Sequence, residues 1–339
     1  MNNVRNILIT GGLGFIGSAI AAKLIENGFG VIIVDFDKTS KPIYNKLLKL
    51  AKKERVTSDV ILFQFDLCNF NNYRKLDKYK IEAVIHCAAY KSIAISIDEP
   101  MNFYHNNIAS TVCLLKYCEE RGISRILFSS TAAVYNPKLW YCYEDERDSY
   151  AESGAGSETK NSDPYSGSKL ICEQLFLEFN ERCNGEATIF RYFNPIGSYN
   201  NIRTDISDSM FGNGFRAIEL NSTFHIFGDC YPTIDGTCLR DYIDLRDIVD
   251  AHMVVLNEGF KEISELPIYN LGTNRRLSVL ECCKIIRNFV PEFKWDVIEP
   301  RQGDGVAGIA NCDKIFRDYG WKSKYTVEDT VKEYLKHKS

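Results

Sequence analysis

The stretch ITGGLGFIG, residues 9–17, constrains the fold more than any other. It follows a short apolar run, Asn6–Thr10, and opens into a segment predicted helical from Phe15 to Asn27. A strand, a glycine turn and a helix in that order make a phosphate-binding corner of a dinucleotide fold. Gly11, Gly14 and Gly17 stand at G-x-x-G-x-x-G spacing, one residue wider than the commonest fingerprint. Without side chains, backbone N–H groups can approach a pyrophosphate, and the helix start favours negative charge. Glycines also close ordinary turns, so the motif draws its weight from its place between strand and helix. A P-loop does not fit, because Ser18 stands where the phosphate-binding lysine is needed.

The first half of the chain then alternates. Apolar runs at Val31–Asp35, Val60–Asp66, Ala83–Ala88, Arg125–Ser130 and Ala187–Asn194 read as strands, with helical segments between them. A long helix is predicted to begin near Pro100. Short, β-branched and wholly apolar strands belong to a parallel sheet covered on both faces. The expectation is a doubly wound α/β parallel sheet. After Asn194 the alternation lapses, which predicts a smaller lobe of loops and short elements. Residues 141–162 are polar and end in SGAGSETKNS, which reads as a mobile loop.

Two acids sit where such a sheet meets its ligand. Asp35 ends the second strand and can accept both hydroxyls of an adenosine ribose, which favours NAD over NADP; nearby Lys38 weighs slightly the other way. Asp66 ends the third strand, where an acid can meet the adenine amino group.

Composition narrows the function classes. The net charge is -4 with no long basic run, which disfavours nucleic acid as a partner. No apolar stretch reaches membrane-spanning length, and MNNVRNILIT leads directly into the first strand, which leaves no room for a cleavable leader. The 12 cysteines include no C-x-x-C pair, so free thiols and a reducing, cytoplasmic setting are expected. The 5 histidines lack metal-ligand spacing, and no metal site is expected.

The segment DPYSGSK, residues 163–169, sets Tyr165 and Lys169 four positions apart after a proline suited to a first helical turn. Alone, that pair reads equally as a surface coincidence. It gains meaning beside TGGLGFIG and SSTAAVY, residues 129–135. Together these resemble the extended short-chain dehydrogenase/reductase superfamily. HCAAYKSIAIS (86–96), RYFNPIGS (191–198), FGDCYPTIDGTCLRDYIDLRDIVDAH (227–252), YNLGT (269–273) and PRQGD (300–304) narrow the resemblance to the UDP-glucose 4-epimerase family.

The resemblance implies a Rossmann domain binding NAD, formed by residues 1–192 with about 240–275. It also implies a smaller C-terminal lobe for the nucleotide sugar, formed by 193–239 with 276–339. It implies Tyr165, Lys169 and Thr131 as the catalytic set, Thr131 standing where the family usually has serine. Cofactor contacts are implied at the glycine turn with Phe15 and Ile16, and at Asp35, Asp66, Leu67, Ala88, Lys91, Asn107, Ser129 and Phe193. For the UDP-sugar, it implies Asn194, Arg240 and Arg301 at the diphosphate, Asp304 at the ribose, and His225, Ile226 and Phe227 around the uracil. Lys91, Thr131 and Tyr165 would face the sugar. Gly308 would face its 2-position, where a small residue tolerates an N-acetyl group. A homodimer through a four-helix bundle is also implied.

The chemistry explains the residue types. Inverting an alcohol carbon that has no acidic proton requires transient oxidation. The base must work near neutrality, yet a free phenol has a pKa of about 10. Bringing it to about 7 takes roughly 4 kcal/mol, which a cation about 4 Å away supplies at an effective dielectric of 20. Lys169 is therefore expected to do most of this. Arginines suit a diphosphate through their forked donors; the alternative for Arg240 is an ion pair with Asp241 or Asp244, and for Arg301 a solvated loop charge.

Other readings stay open. A 4,6-dehydratase needs carboxylates where Ala132 and Ala133 stand. A 4-epimerase of UDP-glucuronate or a UDP-pentose differs only at C5. A non-catalytic NAD-binding sensor or scaffold would have no use for the intact hydroxyl–phenol–ammonium set. The segment SDSMF, 207–211, departs from the family's amides and leucine, and Asp208 would sit badly beside a diphosphate.

Overall fold

The apolar runs of the first half pair into one sheet. The computed structural model describes residues 5–36, 40–54, 60–136, 139–144, 163–202, 209–259, 266–300 and 305–336. Its main sheet has seven strands, in the spatial order Ile268–Leu271, Glu186–Tyr192, Arg125–Thr131, Ile81–His86, Asn6–Thr10, Gly30–Val34, Val60–Phe63. Asn6–Thr10 pairs in parallel with both Gly30–Val34 and Ile81–His86, and the pairing continues in parallel to Val60–Phe63 on one side and Arg125–Thr131 on the other. Strand order therefore reverses at Asn6–Thr10. In an open α/β sheet the ligand crevice lies at the carboxyl ends of the strands flanking such a switch, and the glycine turn occupies that end.

Burial explains the apolar runs. Ile7, Leu8 and Ile9 are all fully buried, so both faces of the first strand are covered. One core holds Tyr73, Tyr117, Phe128 and Phe176. Helices Pro100–Arg121 and Pro164–Arg182 pack against one another.

Several strands stop short of their predicted ends. The third ends at Phe63 rather than Asp66, because Asp66 Oδ1 accepts the Cys68 N–H at 2.9 Å and turns the chain. The fourth runs Ile81–His86, which leaves Cys87 and Ala88 in the following loop.

The chain packs into two compact units: Met1–Val134 with Glu158–Phe190 and His252–Ile268, and Tyr135–Ser157 with Arg191–Ala251 and Tyr269–Ser339. The second unit relies on short pairings. Thr223–Phe227 runs parallel to Lys294–Ile298, and Asn194–Ile196 parallel to Tyr242–Asp244. Phe211, Phe215, Tyr242 and Cys282 belong to its core.

The predicted mobile loop at 141–162 needs correction at its start. Tyr141–Cys142 forms a short strand parallel to Ile309–Ala310. Asn270 donates to the Cys142 and Asn311 carbonyls at 2.9 and 3.1 Å and accepts from Tyr135 Oη at 2.7 Å. Buried Glu144 accepts the Asn270 N–H at 2.8 Å. A polar sequence signals a loop, but it can equally supply the partners of a buried hydrogen-bond hub. Residues 145–162 lie outside the described residues.

Candidate active site

The glycine corner is built for close approach. Gly11 has φ +68°, and a Cβ there would lie 2.7 Å from the Ala88 nitrogen. A Cβ on Gly17 would lie 2.3 Å from the Gly11 oxygen. Gly14 precedes helix Phe15–Glu26 and offers no side-chain cap, so the first-turn amides, including those of Phe15 and Ile16, have no intrahelical acceptor. Asp35 lies just past the strand Gly30–Val34, and its Oδ2 accepts the Leu13 N–H at 2.9 Å. An uncapped helix start, a turn open only to glycine and an acid fastened to that turn fit the pyrophosphate and ribose of NAD.

The three residues expected to be catalytic lie at the end of the strand Arg125–Thr131 and the start of the helix Pro164–Arg182. Asp163 caps that helix, accepting the Ser166 N–H at 2.9 Å and the Ser166 hydroxyl at 2.7 Å. Pro164 then fits the first turn, as the sequence predicts. Tyr165 is half-buried. Burial pushes its phenol up to about 12; the neighbouring Thr131 hydroxyl pulls it down, and Asp163 adds to the rise.

Lys169 is nearly fully buried, and its Nζ donates to the Ser129 carbonyl at 2.7 Å, above the Phe128 ring. Burial pulls its pKa below the usual lysine value, opposed by Cys172, Cys87 and Glu173. Lys169 is thus hydrogen-bonded to the strand that ends in Thr131, one helical turn beyond Tyr165.

Asn107 is fully employed as a clamp. Its Oδ1 accepts the Tyr90 N–H at 2.8 Å, and its Nδ2 donates to the Tyr90 carbonyl at 3.1 Å and to Ser168 Oγ at 2.9 Å. It thereby fastens the loop carrying Ala88 and Lys91 to the helix carrying Tyr165. Lys91 is exposed. Ser129 Oγ donates to Cys87 Sγ at 3.1 Å, and burial pushes that thiol up to about 11, so it stays neutral. Leu67 packs against the main core.

In the second unit, Phe193 is buried and its N–H donates to the Leu271 carbonyl at 3.0 Å. Asn194 donates from both its backbone N–H and its Nδ2 to the Asp241 carbonyl, at 3.0 and 2.8 Å. Arg240 donates to the Leu239 and Gly305 carbonyls, both at 2.9 Å. The ion pair considered for Arg240 belongs instead to Arg246, whose Nε and Nη2 each lie 2.8 Å from Asp244.

Along Thr223–Phe227, Ile226 points into the core while His225 is exposed and Phe227 half-buried, so Ile226 can meet a ligand only through its backbone. A Cβ on Gly308 would meet nothing within 4 Å. Of SDSMF, Ser209 caps helix Met210–Glu219 through the Gly212 N–H at 2.9 Å and Phe211 is fully buried in the core. Asp208, Arg301 and Asp304 lie outside the described residues. Sequence reasoning passed over Glu173 and Ser130, although a glutamate four places past Lys169 on the same helix face was a readable signal.

Residues 7–272 match the model of the NAD dependent epimerase/dehydratase family, and the chain belongs to that family. Its full-length relatives are narrower in kind. A UDP-glucose 4-epimerase of Cyamopsis tetragonoloba is 31% identical, over 99% of this chain and 95% of its own. One of Bacillus subtilis is 30% identical, over 95% and 94%. Among solved structures, the UDP-glucose 4-epimerase of Bifidobacterium longum in complex with NAD+ and UDP aligns with TM-score 0.83 and 27% identity, over 97% of each chain.

Proposed function

We propose that the chain interconverts UDP-glucose and UDP-galactose by inverting C4 of the tethered sugar, with NAD as resident cofactor. What carries this reading is that the strand ending in Thr131 is held to the helix bearing Tyr165 and Lys169 through the Lys169 Nζ–Ser129 carbonyl bond, in the same unit as a glycine corner suited to NAD. When bound, NAD would supply an acceptor and later a donor of hydride at C4. Tyr165 would take the C4 hydroxyl proton during oxidation of that carbon and return it during reduction from the other face. Thr131 holds the sugar oxygen and steadies its developing charge. Lys169 positions this end of the helix through Ser129 and keeps a cation in the site. Arg240 and Arg301 would grip the diphosphate, with Asn194, and Asp304 the ribose.

The space around Gly308 supports acceptance of the N-acetylated pair as well. The test is incubation with UDP-glucose, UDP-N-acetylglucosamine, UDP-xylose and UDP-glucuronate without added cofactor, following the C4 epimer. Turnover of UDP-glucose is expected, with the N-acetyl sugar at a comparable rate. Turnover of UDP-xylose or UDP-glucuronate alone would move the assignment to those sugars, and none at all would favour a sensor.

Two finer readings accompany this one. Met101 and Val112, at helical spacing on Pro100–Arg121, and Ile93, Ile97 and Ile171 are exposed. A second copy of the chain would cover such a surface, giving a homodimer through a four-helix bundle. Sedimentation should report a dimer for the native chain and a monomer for Met101→Lys/Val112→Lys. Cys68 through Cys312 are all free thiols, which supports a cytoplasmic setting. Among the described residues, no helix is long and apolar enough to cross a membrane.

A further inference from the structure

The first unit has an opening at the end of its sheet away from the glycine corner. A cavity of about 330 Å³ lies where the strand Ile81–His86 begins and the helix Pro100–Arg121 ends. The glycine turn follows Thr10, which pairs with His86 at the far end of that strand. Asp77, Lys78, Lys80, Tyr117 and Arg121 line the cavity, and the reaction above uses none of them. Its volume falls within the range of small-molecule sites, about 300–1,000 Å³.

Two atoms of these lining residues lack partners. Tyr117 is fully buried, and its Oη has no hydrogen-bond partner among the described residues. Asp77 Oδ1 is likewise buried and unbonded. Buried polar atoms left in this state call for an explanation. Neither is loosely held. The Tyr117 ring packs against Tyr73, with centroids 5.3 Å apart. The Asp77 carbonyl accepts from Arg121 Nη2 at 2.9 Å, and its N–H donates to the Arg74 carbonyl at 3.2 Å. Asp77 Oδ2 lies 3.9 Å from Arg74 Nη1, which leaves Oδ1.

The chemistry of the pair limits what can satisfy it. Burial, and then Asp77, push the Tyr117 phenol up to about 12 against the pull of Arg121 and Arg74, so it keeps its proton and can donate. A phenol that donates and a carboxyl oxygen that accepts match a group able to do both, which is a hydroxyl. Lys78, Lys80 and Arg121 are exposed, and their cations favour an anion at the same cavity. Their long, flexible stems can move aside to admit one.

We propose that this cavity is a second ligand site, for a sugar phosphate: a sugar hydroxyl bridges Tyr117 Oη and Asp77 Oδ1, and the phosphate rests on Lys78, Lys80 and Arg121. Free sugar lacks the second contact and sulfate the first. The site is separate from Tyr165 and Lys169, so it stands or falls independently of the reaction assigned to them.

The test is titration of glucose 1-phosphate into holoenzyme by calorimetry, with UDP present in excess to keep the nucleotide site occupied. One equivalent should bind per chain. Tyr117→Phe and Asp77→Asn should each weaken binding about fivefold or more. Lys78→Ala/Lys80→Ala should weaken it about tenfold. Glucose and sulfate should bind at least about tenfold more weakly. No binding of glucose 1-phosphate, unchanged affinity in the Tyr117 and Asp77 variants, or sulfate binding as tightly overturns the proposal.

Melting temperature gives a second readout. Tyr117→Phe removes only an unbonded hydroxyl, so without ligand it should melt no lower than the native chain. It should lose most of the rise that glucose 1-phosphate gives the native protein. A lower melting temperature in Tyr117→Phe, with no response to glucose 1-phosphate in the native chain, would mean an ordered water only and overturns the proposal. If Asp77→Asn does not fold, Tyr117→Phe decides alone. Absence of UDP-glucose turnover would remove the reading of the active site and leave this one in place.

Discussion

The two compact units solve the same folding problem by opposite means. The first buries apolar strands on both faces, and its backbone groups are satisfied within the sheet. The second has short strand pairs and long irregular connections, and it satisfies them with buried carboxylates. Asp241 accepts the Thr273 N–H at 2.8 Å, the Thr273 hydroxyl at 2.6 Å and the Ala310 N–H at 3.2 Å. Asp247 accepts the Lys324 and Tyr325 N–H groups at 2.9 and 3.1 Å. Where a chain cannot offer its amides a neighbouring strand, an ionisable acceptor must come inside, and it brings pH dependence with it.

The largest test of this contrast is chemical. If the first unit performs the reaction, Tyr165→Phe should lower kcat about a thousandfold with KM little changed. Arg240→Ala in the second unit should instead raise KM for UDP-glucose on the order of tenfold. Steady-state kinetics decides, and an exchange of the two signatures would break the division.

Next in size is the loss of a carboxylate hub. Asp241→Ala leaves several buried donors unpaired and should destabilise by about 3 kcal/mol. Native-state hydrogen exchange should place the damage at the Thr273 and Ala310 amides and spare those of Val84 and Ile85. Equal loss at both places would show that the units do not open separately.

A smaller effect concerns pH, and the two units should respond in opposite senses. Burial pushes Asp241 and Asp247 up to about 6 from an ordinary value near 3.8. Between those values the folded state binds more protons than the unfolded chain. The second unit therefore loses stability as pH rises through that window, on the order of 3 kcal/mol per carboxylate at most. His86 behaves inversely. Buried between Thr10 Oγ1 at 2.6 Å and Thr111 Oγ1 at 3.2 Å, it is held down to about 3 from 6.5. The unfolded chain binds that proton first, so the first unit loses stability as pH falls from 6.5 towards 3. Opening free energies at pH 4.5 and 6.0 should shift in opposite directions at Ile85 and Thr273; a common shift would refute the scheme.

The smallest effect probes the space beside the sugar. Gly308→Tyr should cut turnover of UDP-N-acetylglucosamine about tenfold while leaving UDP-glucose within a few-fold. Equal losses on both sugars would mean that residue 308 does not face the 2-position.

The main sheet, its glycine corner and the Tyr165 helix were readable in advance, because each is written locally. Apolar runs mark covered strands, glycines mark a turn that admits no Cβ, and Asp163–Pro164 marks a helix start. The second unit was much less legible. Asp241 was legible only as an ion-pair alternative for Arg240, and Glu144 lay in a segment that looked mobile.

Sequence alone therefore determined the parallel sheet and the glycine corner at its edge, since short-range spacing dictates both. Tertiary structure decided where charges end up: Lys169 on the Ser129 carbonyl, Asp244 with Arg246 rather than Arg240, Glu173 beside Ser130. Burial sets the cost of each charge, and burial depends on segments far apart in the chain.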